Sequence, residues 1–462
     1  MTSKSDGEAE TLAQPAQSVE AFGYRQELKR SLSMLDLLVY GLVFIVPAAP
    51  LATFGIVFNA SSGMVPLVYI VGLIAMLFTA ASYVTMSRAY PVAGSVYAYA
   101  GRAIGESVGF LAGWVMLLDY LLLPTLVYVL SAIAVRAVVP DLPREGLIVG
   151  FVVINTIISI LGIETTARTA MVLLAFQLAV LLVFMVVAGI ALSHGVGDAH
   201  LSLKPLFNPD AISPSLIFGA LSLAVLSFLG FDAISTLAEE AKGGGQAVGR
   251  ATVLSLIVTA TIFVVLTYTT SLFVLDRTSF APGDPTDAAF YDIATMIGGP
   301  WLKAMLALSG TLFASLPGAL AAQVATARLI YSMARDGKLP RALAHVSEKR
   351  KVPDRAVLLI SAITLVLGVT LAERLELLTS MVNFGALSGF LLLHVSVVAH
   401  VLRRREPRAG FISVVLAAIG FLIIGYVLFN LDQTAKIAGL IWLTIGVGVL
   451  AYRKLGVRKQ ST

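Results

Sequence analysis

Asp232 lies inside an apolar stretch, where a carboxylate is energetically unfavourable. Residues 222–242 read SLAVLSFLGFDAISTLAEEAK, so the acid falls well within a segment hydrophobic enough for a membrane. An unpaired carboxylate inside a bilayer costs several kcal/mol and usually marks a functional position. Gly230 favours a helix interruption, which membranes tolerate only where the freed backbone lines a cavity. We therefore predict half of a solute-binding site from Leu226, Ser227, Phe228, Gly230 and Asp232.

Asp232 is also the candidate for proton coupling. A carboxylic acid withdrawn from water holds its proton more tightly, so it exchanges that proton closer to neutral pH than an exposed acid does. A structural acid that faces an inner vestibule is the alternative interpretation. Its position in the middle of the segment favours the functional one.

Two prolines interrupt the first apolar stretch, whose residues 40–55 read YGLVFIVPAAPLATFG. Pro47 and Pro50 each lack an amide donor and displace the carbonyl four residues back, at Val43 and Val46. Such oxygens suit a cation, although a simple proline kink is common in membrane helices. The predicted second half of the site is therefore Ile45, Val46, Pro47, Ala48 and Ala49.

Four further polar residues fall inside apolar stretches. Asp119 and Tyr120 lie together, with the acid placed to balance a cationic solute or to bond to a neighbouring helix. Asn383 is a candidate pocket residue, and an interhelical hydrogen bond explains it equally well. His394 is a weaker candidate for the proton, since a lone histidine in a membrane usually bonds to a neighbouring helix.

The composition places these residues in a polytopic membrane protein. Hydrophobic residues make up 58% of the 462 and charged residues only 13%, whereas ordinary soluble domains carry about a quarter charged residues. The net charge of +5 requires no nucleic-acid partner, because the basic residues fall between apolar spans. There is no cysteine, and we find no metal-ligand motif, no nucleophile with its base and no cofactor motif.

Twelve apolar runs are long enough to cross a bilayer. They lie near residues 34–57, 65–87, 107–135, 146–163, 168–192, 214–237, 252–275, 301–333, 356–372, 376–402, 411–430 and 435–452. With the amino terminus inside, the cytoplasmic segments hold 25 of the 32 Lys and Arg residues, so both termini are predicted to be cytoplasmic. The polar residues 1–30 are predicted to form a disordered cytoplasmic tail.

The spans divide into two halves that each begin with an interrupted helix. Interrupted segments at matching positions of two halves indicate a transporter with its site near the bilayer midplane. We predict a first five-helix repeat at 31–192, an outer loop at 193–213, and a second, inverted repeat at 214–405. Residues 406–462 then hold two extra helices and a cytoplasmic tail.

Several motifs resemble the amino acid-polyamine-organocation superfamily of secondary transporters. They are YPVAGSVYAY at 90–99 with GFLAGW at 109–114, FLGFD at 228–232 with Glu239 and Glu240, ARLIYSMARDGKLP at 327–340, and MVNFGALSG at 381–389 with LRRR at 402–405. Residues 41–57, 118–124 and 227–233 are most similar to the putrescine importer subgroup. The resemblance implies an all-α, leucine-transporter-like fold with a five-plus-five inverted repeat, two extra helices and twelve transmembrane helices.

The same resemblance implies proton-coupled uptake across the bacterial inner membrane. The expected partners are a small organic amine or amino acid, protons and membrane lipid, and the protein is expected to be a monomer or a homodimer. Amino acid carriers of the superfamily usually hold the substrate carboxylate in a Gly-Ser-Gly-like turn, whereas residues 45–50 here read IVPAAP. Since proline cannot donate a hydrogen bond, this site suits an amine better. Gln177 stands where proton-coupled relatives often carry a lysine, so the proton must be carried elsewhere or not by this protein.

The predicted function is import of a putrescine-like polyamine or related monoamine, driven by protons. A permease for neutral or cationic amino acids is the alternative among carriers, followed by an exchanger. A channel or transporter-like sensor would keep the scaffold without coupled flux, and an enzyme would need a catalytic constellation that we do not find.

Overall fold

The chain forms helices because its apolar segments must satisfy every backbone amide and carbonyl without help from water. The computed structural model describes residues 19–138, 141–282, 284–310, 315–371, 374–404, 408–431 and 433–460. Within them the helices are α1 Met34–Ile45, α2 Ala49–Ser61, α3 Val65–Ala89, α4 Ser95–Ala103, α5 Glu106–Val138, α6 Arg144–Leu161, α7 Ile163–Ser193, α8 Pro214–Ser227, α9 Gly244–Ser271, α10 Asp284–Asp287, α11 Ala289–Gly298, α12 Pro300–Ser309, α13 Ser315–Arg335, α14 Asp354–Thr370, α15 Leu375–Arg404, α16 Arg408–Phe429 and α17 Gln433–Gln460. Short 3₁₀ helices occupy Val19–Phe22, Val196–Asp198, Phe231–Leu237 and Arg341–Ala344.

The predicted all-α membrane fold is confirmed. In the described part of the chain, nine helices are long and apolar enough to cross a bilayer, and the bent pair α1 and α2 makes a tenth span. The other two of the twelve predicted spans correspond to α12 with α13 and to α14, whose 17 residues are near the lower length limit. The division into two inverted five-helix repeats, with boundaries at 31–192, 193–213, 214–405 and 406–462, stays a prediction.

The first span breaks where the prolines lie. Helix α1 ends at Ile45, Val46 follows at φ 63°, and α2 starts at Ala49 with an axis bent by 48°. A positive φ is unusual for a β-branched residue such as Val46, so this turn is set by its surroundings. The sequence analysis expected a free carbonyl at Val46. This expectation was wrong, because the Val46 oxygen accepts a hydrogen bond from the Ala49 amide at 2.9 Å.

The sixth span breaks at Gly230. Helix α8 ends at Ser227, Gly230 adopts φ 112°, and the 3₁₀ helix Phe231–Leu237 follows. A Cβ at position 230 would lie 2.2 Å from the Phe44 ring, so only glycine fits both the turn and the contact. The two broken spans therefore touch each other at their breaks.

Helices from both halves surround the breaks. Helix α1 packs on α7, α9, α13 and the 3₁₀ helix 231–237, while α2 packs on α8, α10 and α11. Helix α3 runs along α9, and α5 packs on α4, α13 and α15. The long helices thus form a frame that holds the short, interrupted ones at the centre.

The amino-terminal segment is a correction to the sequence analysis. The prediction of disorder was wrong for residues 19–30, where Val19 and Leu28 are buried and Gln26 donates to the carbonyl of Glu239 at 3.0 Å. Just beyond them, Leu32 exchanges backbone hydrogen bonds with residues 240 and 242. Residues 1–18 of the predicted tail lie outside the described residues.

The loop that contains Phe280 and the last helix are also tied to the frame. Asn59 of α2 accepts a hydrogen bond from the Phe280 amide at 2.7 Å and donates to the Phe280 carbonyl at 3.1 Å. Trp114 of α5 and Trp442 of α17 stack at 4.7 Å between ring centroids, and each indole N–H donates to the other residue's carbonyl. These paired bonds fix α17 against α5.

Candidate functional site

A cavity of about 340 Å³ lies where the two interrupted spans meet α5 and α15. Its wall is mostly apolar, with a few oxygen and nitrogen atoms directed inward. The lining residues are Phe44, Ile45, Val46, Ala49, Thr53, Ile56, Val57, Asp119, Leu123, Leu126, Leu226, Ser227, Leu229, Thr379, Val382 and Asn383. A concave apolar site with a small number of polar groups is typical of small-molecule binding.

The structure brings seven of the predicted site residues together on this wall. They are Ile45, Val46, Ala49, Asp119, Leu226, Ser227 and Asn383. The other six candidates lie outside the wall: Pro47, Ala48, Tyr120, Phe228, Gly230 and Asp232. Asp232 lies behind the wall and is fully buried, so its predicted place in the solute site stays a prediction.

Sequence reasoning missed several lining residues that share a helix face with the predicted ones. Thr379 lies one turn before Asn383, Thr53 one turn after Ala49, and Leu123 one turn after Asp119. Residues four apart lie on the same side of a helix, so this spacing was an available signal.

Asp119 is the one carboxylate on the cavity wall among the described residues. Its exposed fraction is 2%, and its carboxylate forms no hydrogen bond with the described residues. The helix around it is held closely, since a Cβ at Gly385 would lie 2.7 Å from the Asp119 amide nitrogen. The chain thus places an acid at an apolar cavity whose described lining residues include no Lys, Arg or His.

Hydroxyl groups link the other walls of the cavity. The Tyr69 hydroxyl lies 3.0 Å from the Thr53 hydroxyl of α2 and 3.5 Å from the Ser227 hydroxyl of α8. These hydrogen bonds connect α2, the second helix of the first broken span, with α8, the first helix of the second broken span. The oxygen atoms of Thr53 and Ser227 can therefore be positioned together around a solute.

Asp232 and Tyr120 form a pair behind the cavity. The Tyr120 hydroxyl donates to Oδ2 of Asp232 at 2.5 Å. Phe44 lines the cavity, and its ring lies 6.1 Å from the Tyr120 ring and against Gly230. The Phe44 ring therefore separates the cavity from the Asp232 carboxylate.

The breaks offer few free amides to an anion. At the start of α2, the Ala49 amide donates to Val46 at 2.9 Å, the Leu51 amide donates to Ala48 at 3.0 Å, and Pro50 has no amide hydrogen. At the second break, the amides of Gly230 and Asp232 lie beside the Asp232 carboxylate itself. A substrate carboxylate would therefore compete with existing partners at both positions.

Two ion pairs, which we call the charged seal, hold the two acids that follow the 3₁₀ helix 231–237. Arg328 donates two hydrogen bonds to Glu240, at 2.8 and 3.1 Å, and both side chains are buried. Arg335 forms a matching pair with Glu239, at 2.8 and 3.0 Å. The Arg335 guanidinium also lies 3.8 Å from the centre of the Tyr24 ring, which brings the amino-terminal segment into this seal.

Tyr24 joins the same seal through its hydroxyl, which donates to Asp336 at 2.9 Å, and Tyr97 donates to the other Asp336 oxygen at 2.7 Å. Burial and the nearby Asp336 charge raise the pKa of Tyr24. The tyrosine therefore stays neutral and remains a hydrogen-bond donor at physiological pH.

The remaining sequence candidates lie away from the cavity wall. His394 bonds with Ser82 at 2.9 Å and Thr79 at 3.3 Å, so it connects α15 with α3. Gln177 is buried in α7, and its amide nitrogen has no hydrogen-bond partner among the described residues. No group of three or more metal-ligating side chains is found in the described ranges.

Comparisons with known proteins give one family. The sequence profile of the amino acid permease family matches residues 35–451. The low-affinity putrescine importer PlaP of Escherichia coli (strain K12) is 34% identical over 434 residues, which cover 92% of this chain and 94% of that protein. The branched-chain amino acid permease BcaP of Bacillus subtilis is 26% identical over 454 residues, covering 93% and 94%. The methylthioribose transporter of the same organism is 26% identical over 477 residues, covering 95% and 96%.

Proposed function

The chain belongs to the amino acid permease family, and from that premise we propose that it imports a small organic amine across the bacterial plasma membrane in symport with protons. The protein is a multi-pass membrane transporter of amino acids or amines. The amine, the proton and the direction of transport are the proposed parts.

The observation that carries this proposal is the Asp119 carboxylate. It lies at an apolar cavity between two broken spans, in a buried residue, and forms no hydrogen bond with the described residues. A buried carboxylate is expensive unless a cation pairs with it. A protonated amine supplies that cation, and its carbon chain can pack on the surrounding leucine and valine side chains.

The amide positions at the breaks favour an amine over an amino acid. An amino acid brings a carboxylate that needs donors, and the first amides of α2 already donate to Val46 and Ala48. A cavity that leaves a buried polar group unpaired discriminates strongly against that group. The relationship to a putrescine importer supports the same choice.

A permease for amino acids is the second candidate. It is supported by the relationship to the branched-chain amino acid permease. Ser227 and Asn383 on the cavity wall can also contact a carboxylate. The amine transporter must recognise the ammonium group of its substrate, whereas the amino acid permease must also recognise the carboxylate.

Binding and exchange measurements separate them. Purified protein would be heated with putrescine, an aromatic monoamine, alanine or arginine, and counterflow would then be measured in proteoliposomes with each compound that raises the melting temperature. We expect an amine to stabilise the protein and to exchange across the membrane. Clear preference for an amino acid over the amine with the same side chain would overturn the proposed substrate class, and binding without exchange would indicate a sensor.

The proposed orientation places both termini in the cytoplasm. Because the sequence has no cysteine, single cysteines can be introduced at Leu201 for the outer side and Lys349 for the inner side, both of which are exposed. A membrane-impermeant maleimide added to intact cells should label Leu201→Cys alone. Labelling of Lys349→Cys alone would reverse the orientation.

A further inference from the structure

Four hydroxyl groups surround the Asp232 side of the second break. Ser235 donates to the Asp232 carbonyl at 2.6 Å and lies 2.8 Å from the Ser95 hydroxyl. The Tyr83 hydroxyl faces Ser95 and the Tyr99 hydroxyl faces Ser235, with the two rings 6.3 Å apart. We call these five residues the Asp232 hydroxyl cluster, and all of them are fully buried.

Three polar atoms of the cluster make no hydrogen bond of standard geometry with a described residue, although a serine hydroxyl lies near each tyrosine and two amides lie near the carboxylate. They are Asp232 Oδ1, the Tyr83 hydroxyl and the Tyr99 hydroxyl. Buried polar atoms are nearly always satisfied, because each unsatisfied one is costly. Two donors and an acceptor at one place match the two to four partners that a buried water molecule needs.

The cluster is separated from the substrate cavity. None of its five residues lines the cavity wall. Phe44 and Tyr120 lie on that side of Asp232, while Phe231 and Phe390 pack on Tyr83 with ring centres 5.7 and 6.1 Å away. A proton on Asp232 therefore has no direct contact with a solute in the cavity.

On the cytoplasmic side the cluster continues into polar groups. Ser95 is the first residue of α4, and two residues earlier the Ala93 amide donates to Glu239 at 2.8 Å. Glu239 in turn pairs with Arg335, whose side chain is partly exposed at 13%. Polar atoms thus lead from Asp232 to the inner face through one backbone segment.

We propose that the Asp232 hydroxyl cluster holds water through which Asp232 exchanges its proton with the cytoplasm rather than with the substrate cavity. The proposal rests on the proposed proton-coupled transport. In this step the O–H bond of the Asp232 acid breaks, a cluster water accepts the proton, and the carboxylate remains paired with the Tyr120 hydroxyl. The water passes the proton toward Glu239 and the inner solution.

The charged and titratable groups around Asp232 suit such a site. Asp119 and Tyr120 face it from α5, Tyr83 from α3 and Tyr40 from α1, with the Arg328–Glu240 pair beyond Tyr40. Asp119 repels a negative charge on Asp232. An amine bound at Asp119 relieves that repulsion, which favours release of the Asp232 proton after the substrate has bound.

The test uses Tyr83→Phe/Tyr99→Phe, which removes the two tyrosine hydroxyls and keeps both rings. The matched control is Tyr128→Phe, another fully buried tyrosine, whose hydroxyl accepts from Asn155 outside the cluster. Amine counterflow at equal pH and accumulation driven by an imposed pH gradient are measured in proteoliposomes. We expect counterflow close to wild type for both variants, and loss of the roughly tenfold accumulation that one pH unit can drive only for the cluster variant.

A second measurement follows hydrogen–deuterium exchange at Asp232 and does not depend on transport. In purified protein, the infrared band of the protonated Asp232 carboxyl group is identified by its loss in Asp232→Asn. After transfer to D₂O, we expect the deuterium shift of this band to be at least about tenfold slower in Tyr83→Phe/Tyr99→Phe than in Tyr128→Phe, because the water path is lost.

The outcomes separate the two proposals. Wild-type accumulation and unchanged deuterium exchange in the cluster variant would overturn the water path. Accumulation that follows a sodium gradient and is lost in the cluster variant would also overturn it, in favour of a sodium site. If no amine shows counterflow in the wild type, the proposed function fails, and the infrared measurement alone then decides the inference.

Discussion

The protein contains two sets of buried acids that it treats in opposite ways. Glu239 and Glu240 each pair with an arginine at hydrogen-bond distance, through Arg335 and Arg328. Asp119 and Asp232 are as deeply buried, yet neither forms an ion pair with any described residue. A buried carboxylate is stable in water-free surroundings only when its charge is compensated.

This difference separates acids whose charge the protein itself balances from acids that can pair with a charge from outside the chain. The inner acids are neutralised by the chain itself, so they need no charge from a bound solute. In the proposed mechanism, Asp119 takes the charge of a bound amine and Asp232 takes a proton. Glu239 follows Asp232 by only seven positions in the sequence.

The largest effect is expected when the Arg328–Glu240 ion pair is broken. Arg328→Met leaves Glu240 buried without its cation, so we expect a loss of about 3–5 kcal/mol in stability. The measurement is thermal or denaturant unfolding of the purified protein in detergent. The double variant Arg328→Met/Glu240→Leu should recover most of the loss, because it removes both charges. A single variant as stable as the wild type would show that the pair does not hold the seal.

The next effect concerns the unpaired acid of the cavity. Asp119→Asn should weaken amine binding by about 2 kcal/mol, roughly thirtyfold in Kd, since the charged hydrogen bond to the ammonium is lost. Unlike Arg328→Met, it should not lower the melting temperature. Asp292→Asn, which removes an exposed acid bonded to Lys303, serves as the control. Equal amine affinity in both variants would remove Asp119 from the site.

A smaller effect is expected at the second unpaired acid. Asp232→Asn should leave counterflow intact and abolish accumulation in a pH gradient, which at one pH unit corresponds to about 1.4 kcal/mol. The neutral amide cannot release a proton, and it can still accept the Tyr120 hydrogen bond. Uptake that follows pH as in the wild type would show that the proton is carried elsewhere.

The smallest expected effect sharpens the comparison within the charged seal. Arg335→Lys keeps the charge opposite Glu239 and loses the two-pronged bond and the stacking on Tyr24, so we expect a loss of about 1 kcal/mol. Unfolding of the purified variant measures it. A loss as large as that of Arg328→Met would mean that geometry rather than charge holds both pairs.

The sequence predicted the features that depend on local chain chemistry. Pro47, Pro50 and Gly230 predicted both helix breaks, because missing amides and a positive φ act within a few residues. Hydropathy predicted the spans for the same reason. Asp119, Ser227 and Asn383 were found as polar residues in apolar helices, and the structure places them on one cavity wall.

Features that depend on distant contacts could not be predicted in this way. The side of the second break on which Asp232 lies depends on Tyr120, 112 residues earlier. The arginine partner of Glu239 is 96 residues away, and nothing in the local sequence identifies it. Residues 19–30 were misassigned as disordered because their composition is polar, whereas their order comes from contacts with Glu239 and with Arg335.

The stacked indoles of Trp114 and Trp442 have a practical consequence. The chain has three tryptophans, and the third, Trp301, is 53% exposed on α12. The two indoles are stacked 4.7 Å apart, and aromatic rings held in fixed tertiary packing give a near-ultraviolet circular dichroism signal that is lost with that packing. Detachment of the final helix from α5 can therefore be followed optically in the unlabelled protein.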